Sequence, residues 1–142
     1  MNTSARNQFP GIITAVRNGA VNDEIVVEII GGQRLVAIVT HESATMLGLQ
    51  PGTQAFALIK ASSVIVATDL QGTRFSTRNQ MSGKIARLRT GAVNTEVVID
   101  LPGGGTIAAI VTNDSSTMLD LAIGKQATAL FKASSVILGV PA

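Results

Sequence analysis

The chain of 142 residues has no cysteine, no tryptophan, no tyrosine and a single histidine. Without cysteine there is neither a disulfide nor a thiolate metal site. The four phenylalanines, Phe9, Phe56, Phe75 and Phe131, leave too few stacking platforms for a single-strand nucleic-acid binder. Charged residues make up only 14%, and the formal net charge of +2 is too slight for a nucleic-acid footprint. So little charge also suggests surface buried against other subunits. No apolar run is long enough to cross a membrane as a helix. The opening MNTSARNQFPG lacks the basic-then-apolar pattern of a signal peptide, so the cytoplasm is the expected compartment.

What is present is core-forming. Apolar residues reach 46%, glycine occurs 14 times, and short runs of Val, Ile and Thr alternate with glycine-rich turns. That pattern reads as all-β. The chain is also duplicated. Ser4, Arg6, Asn7 and Gln8 return as Ser76, Arg78, Asn79 and Gln80, an offset of 76 − 4 = 72. The same offset carries Gly19-Ala20-Val21-Asn22 onto Gly91-Ala92-Val93-Asn94, and KASSVI at Lys60–Ile65 onto KASSVI at Lys132–Ile137. No gap is needed and about half of the aligned positions are identical, the mark of a tandem repeat. The expected domains are 1–69 and 73–142, joined at the polar turn Asp69-Leu70-Gln71-Gly72. Each is marginal in size, so pairing with its twin or with other chains is expected.

Within the first repeat, Ala5–Arg17 reads as extended, with Pro10-Gly11 implying an edge or a bulge. Glu24–Ile30 and Arg34–Val39 read as a hairpin closed by Gly31-Gly32. Thr40–Leu47 suits a short helix capped by Gly48, and Thr53–Lys60 and Ser62–Ala67 are two further strands. The second repeat follows the same scheme, with Pro102–Gly105 as its hairpin turn. Five strands with a helix between the third and fourth is the order of an OB-like barrel, so two tandem barrels are expected.

The polar residues kept in both copies are mostly cations, hydroxyls and amides, and Glu24 and Glu96 are the only acid kept identical at matching positions. Thr40 and Thr112 stand where a helix begins and can cap it. Ser43 and Ser115 lie three residues on, where a capping box would carry Glu or Gln. A hydroxyl there leaves the helix start open to an anion. Lys60 and Lys132 end apolar strands; each is either a snorkelling lysine or, with the following Ala-Ser, an anion ligand. Arg6 and Arg78 are likewise solvated charges or ligands. The Gly-Ala-Val-Asn blocks are plain turns or backbone anion nests. Catalysis has little support: His41 faces Asn113 in the other copy, so no catalytic triad can be assembled twice. Gly103-Gly104-Gly105 is followed by neither Lys-Ser/Thr nor a helix, which excludes a nucleotide phosphate loop. No enzyme is expected, and the lack of paired carboxylates or histidines argues against a cationic metal.

These motifs together, SARNQFPG and STRNQMSG, GAVNDE and GAVNTE, VTHES and VTNDS, and KASSVI twice, resemble the molybdenum-pterin-binding (Mop, molbindin) family in its tandem form over essentially the whole chain. The resemblance implies a ring-shaped trimer that binds molybdate, with tungstate as a mimic, and no other cofactor. One implied site type uses Ser4, Arg6, Thr40, Ser43, Lys60, Ala61 and Ser62, with Ser76, Arg78, Thr112, Ser115, Lys132, Ala133 and Ser134 as its twin. A second, near the symmetry axis, uses Ala20, Val21 and Asn22 with Ala92, Val93 and Asn94. Thr77 departs from the family's Ala. The implied function is intracellular molybdate storage and homeostasis. The alternative is a molybdate-sensing module acting through a partner protein. A structural β-protein or a nucleic-acid-binding OB domain would need the motifs to be coincidental, and no nucleic-acid or membrane partner is expected.

Overall fold

The computed structural model describes all 142 residues. Its first repeat runs β1 (Asn7–Arg17), β2 (Asn22–Ile29), β3 (Arg34–Thr40), α1 (His41–Leu47), β4 (Gln54–Ile59) and β5 (Ile65–Ala67). The second runs β6 (Asn79–Thr90), β7 (Asn94–Asp100), β8 (Thr106–Thr112), α2 (Asn113–Met118), β9 (Gln126–Phe131) and β10 (Ile137–Gly139). The strand count, the order and the helix between the third and fourth strands match the OB-like expectation. Thr40 caps α1 by accepting from the Ser43 amide, and Gly48 closes it in left-handed geometry with φ 65°. A side chain at that φ would strain the backbone, so the glycine has a reason to be there.

β1 tolerates Pro10 because β2 pairs only from Gly11 onward, so the missing N–H interrupts no ladder on that side. The bulge in this strand falls between Ile13 and Ala15. Its counterpart in β6 falls between Ile85 and Arg87.

The two sheets do not follow the repeats. One has the order β10-β4-β1-β2-β3, the other β5-β9-β6-β7-β8. Each repeat lends its last strand to the other. Ile137, Leu138 and Gly139 pair with Leu58, Ala57 and Phe56. Ile65, Val66 and Ala67 pair with Leu130, Ala129 and Thr128. A tight turn precedes each exchanged strand. Ala61–Ser63 forms a tight 3-10 turn, with the Ser63 amide donating to the Lys60 carbonyl at 2.9 Å, and Ala133–Ser135 does the same. The strand expected from Ser62 therefore starts only at Ile65.

Strand exchange fuses the interiors. Alternate residues of each strand point inward, and 26 buried residues from both repeats form one core. Val66 from the first repeat and Leu138 from the second are both buried in the opposite sheet. Two asparagines complete the joint. The Asn7 side chain donates to the Ala108 carbonyl and accepts from the Ala108 amide, both at 2.8 Å. Asn79 treats Val36 in the same way at the same distances. Each amide mimics a strand residue and satisfies the edge strand β8 or β3.

Candidate anion-binding site

The end of β4, the following turn and the segment before β1 converge. Ser4, Arg6, Lys60, Ala61 and Ser62 line one pocket of about 320 Å³ together with Ala5 and Ile110. Ile110 belongs to β8, so the pocket already combines the two repeats. Lys60 is exposed and forms no ion pair. Lys60, just past the end of β4, thus shares this pocket with Ser4 and Ser62 without an acidic partner.

Thr40 and Ser43 do not line this pocket. Strand geometry instead places the second repeat's equivalents beside it. Ile110 and Thr112 share a face of β8, about 6.6 Å apart for two residues along a strand. Glu96 lies opposite Ile110, and Asn94 opposite Thr112. Within one chain, the strand that meets the Lys60 pocket is thus the one that carries Thr112, whose ladder partner is Asn94. By symmetry the turn at Ala133–Ser135 packs against β3, which carries Thr40.

In the second repeat, Ser76 and Lys132 line a pocket of about 300 Å³ with Thr77, Phe75, Phe131 and other apolar groups. Arg78, Ala133 and Ser134 are not part of that lining. The Thr77 hydroxyl donates to the Phe131 carbonyl at 2.7 Å, so the departure from Ala is absorbed by a local bond. Lys132 is also exposed and forms no ion pair.

The two arginines are engaged. Arg78 grips both oxygens of Glu24, at 2.8 and 3.2 Å. Arg6 pairs with Oε2 of Glu96. Both pairs cross from one repeat to the other and join the only acid that is identical in both copies. That coincidence of two repeated cations and two repeated acids was the available signal for them in the sequence.

The helix starts are more closed than their sequence suggests. The Thr40 hydroxyl donates to Ser43 Oγ at 2.8 Å while accepting from the Ser43 amide at 3.1 Å, and Thr112 with Ser115 repeats both distances. Glu42 and Asp114 supply a carboxylate in each first turn. The Gly-Ala-Val-Asn blocks abut these caps. Asn22 is the strand partner of Thr40 and Asn94 of Thr112. Val21 and Val93 accept from the His41 and Asn113 amides, at 2.8 and 3.0 Å. Ala20, Val21, Asn22, Thr40 and Ser43 therefore form one corner, and Ala92, Val93, Asn94, Thr112 and Ser115 its twin.

His41 has a partner. Its Nδ1 lies 3.0 Å from both oxygens of Asp23, which is buried and also accepts from the Gly19 amide at 3.0 Å. In the second repeat the pair becomes Thr95 and Asn113, joined at 2.7 Å. Both partners change together between the copies, which marks a contact. No cluster of three or more His, Cys, Asp or Glu side chains suits a metal cation. No helix is long and apolar enough to cross a membrane.

Comparison with known proteins identifies the family. The model of the TOBE domain matches twice, over residues 3–66 and 76–138. Over 140 residues the chain is 46% identical to the molybdenum transport protein ModE of Herbaspirillum seropedicae, covering 99% of the chain and 52% of that relative. It is 45% identical over 141 residues to the molybdenum-pterin-binding protein MopA of Rhodobacter capsulatus, with 99% and 53% covered. The chain thus spans about half the length of these curated relatives. A solved structure of the cytoplasmic molybdate-binding protein ModG, with molybdate bound, superposes with a TM-score of 0.96 at 45% identity, covering 99% of this chain and 100% of that one. The motif resemblance to tandem Mop proteins holds, and the chain belongs to the TOBE-domain family, carrying the domain twice.

Proposed function

We propose that the chain binds molybdate, and tungstate as a close mimic, and serves in the storage and homeostasis of molybdenum in the cytoplasm. The observation that carries this reading is the pair of unpaired lysines, Lys60 and Lys132, each held beside seryl hydroxyls at a turn shared by both repeats. Molybdate is a tetrahedral dianion with four acceptor oxygens. Lysine, arginine, hydroxyl and backbone N–H groups supply the charge-assisted donors it needs. The match to a structure with molybdate bound, at 45% identity over its full length, supports the same ligand.

One class of site is assigned to Ser4, Arg6, Lys60, Ala61 and Ser62 with hydroxyls of the Thr112 and Ser115 corner. Its counterpart is Ser76, Arg78, Lys132, Ala133 and Ser134 with Thr40 and Ser43. A second class is assigned to Ala20, Val21, Asn22, Ala92, Val93 and Asn94. Val21 and Val93, Met46 and Met118, and Ile65 and Ile137 are exposed as matched pairs. Such twinned apolar surface supports assembly with further copies, a trimer in this reading, with donors contributed across subunits. The protein acts as a binder and not as a catalyst, with no resident cofactor.

Native mass spectrometry with and without molybdate, in excess sulfate, tests the proposal. A trimer that gains several molybdates supports it, and no uptake, or uptake abolished by sulfate, overturns it. A second reading, a molybdate-sensing module, is favoured by one observation. The relatives that the chain matches over about half their length include a DNA-binding transcriptional dual regulator, ModE of Escherichia coli. A protein that co-purifies with the chain only when molybdate is present would support that reading.

A further inference from the structure

Glu96 differs from its twin in the cations around it. Its Oε2 is held by Arg6, while its Oε1 lies 3.9 Å from Nη2 of a second guanidinium, Arg87. Glu24 has a single cation, Arg78, which occupies both of its oxygens. The position equivalent to Arg87 is 87 − 72 = 15, an exposed alanine. The two cross-repeat ion pairs are therefore built differently, although both belong to conserved halves of the duplicated chain. The pockets differ in the same sense: Arg6 lines the Lys60 pocket, and Arg78 does not line the Lys132 pocket.

This matters for an anion that recruits the arginine. Turning Arg6 toward a dianion removes one cation from Glu96, a carboxylate only 8% exposed. An uncompensated carboxylate in that position is costly, and it also repels the incoming anion. Arg87 stands on the other oxygen and compensates both effects. When Arg78 turns in the other pocket, nothing replaces it on Glu24, and its bidentate grip must break first.

We propose that Arg87 is a positioning residue that makes the two halves unequal. By holding Glu96 it frees Arg6 for the anion, so the Lys60 pocket binds a tetrahedral dianion more tightly than the Lys132 pocket. The inference rests on the molybdate reading above and deepens it.

Calorimetric titration of the full chain with sodium molybdate is the test. The unaltered protein shows two affinity classes, of which Lys60→Ala and Lys132→Ala remove one each, distinct from any class at the Gly-Ala-Val-Asn corners. Arg87→Ala weakens the tighter class about fivefold, the scale of a partly exposed ion pair, and leaves the weaker class unchanged. Arg87→Lys restores part of the loss. Ala15→Arg, at an exposed position, tightens the weaker class. Lys84→Ala removes an exposed cation from the same strand and leaves both classes within about twofold, which separates a local role from a general charge effect. A single affinity class in the unaltered protein overturns the inference. So does an Arg87→Ala effect no larger than that of Lys84→Ala. No heat from the unaltered protein at all would remove the molybdate reading itself, and this inference with it.

Discussion

At the scale of single residues, the duplicated chain supplies its own control, because each position can be compared with its twin. Gly48 ends α1 with φ 65°, whereas its counterpart Asp120 is forced to φ 51°. Lys125 compensates by donating from Nζ to the Leu119 carbonyl at 2.7 Å. Asp120→Gly is expected to stabilise the protein by about 0.5–1 kcal/mol, read as a rise in the urea midpoint. Asn79→Ala is expected to cost about 2–4 kcal/mol, because it strands a buried amide and carbonyl of Val36, and the same holds for Asn7→Ala at Ala108. Both losses should appear in the same urea experiment. The asparagines were visible as repeated polar residues, but not as clamps, since nothing local says that an amide will bridge 101 positions of chain. Lys60 was legible for the opposite reason: a cation closing an apolar run needs an explanation wherever it sits. In the sequence Arg6 and Arg78 are solvated charges or ligands, and only the fold shows that each meets an acid of the other repeat.

At the scale of elements, the hairpins, the helix and its caps followed from alternation, glycine placement and the change of period at Thr40. The partners of the last strands did not. KASSVI is identical in both copies, and β4 and β9 differ at only two of six positions, QAFALI against QATALF. The last strands, IVA and ILG, are only three residues long and carry little pattern to name their partner, and each follows a 3-10 turn. Leu138→Ala tests the exchange. Leu138 is buried opposite Ala57, and the truncation should cost about 2–4 kcal/mol. Hydrogen exchange should then accelerate at the amides of β4, in the first repeat, and not at those of β9. Acceleration confined to β9 would mean that each repeat keeps its own strand.

At the scale of the whole molecule, exchanged strands, reciprocal asparagine clamps and crossed Arg–Glu pairs bind the two repeats into one body with one core. They should unfold together. Calorimetry or urea denaturation monitored by circular dichroism is expected to give a single transition, and two separated transitions would contradict the shared core. The same joining explains how the candidate site arises: the lysine turn of one repeat is laid against the β7–β8 or β2–β3 corner of the other. Family resemblance groups Lys60 with Thr40; within a chain, strand exchange brings β8, the strand of Thr112, to the Lys60 pocket. The measurement that tests the central claim most directly is native mass spectrometry of the unaltered chain and of the double variant Lys60→Ala, Lys132→Ala, each with molybdate in excess sulfate. The account predicts that the unaltered assembly gains several molybdates and that the double variant, still assembled, loses one class of them. Equal uptake by both proteins would contradict it.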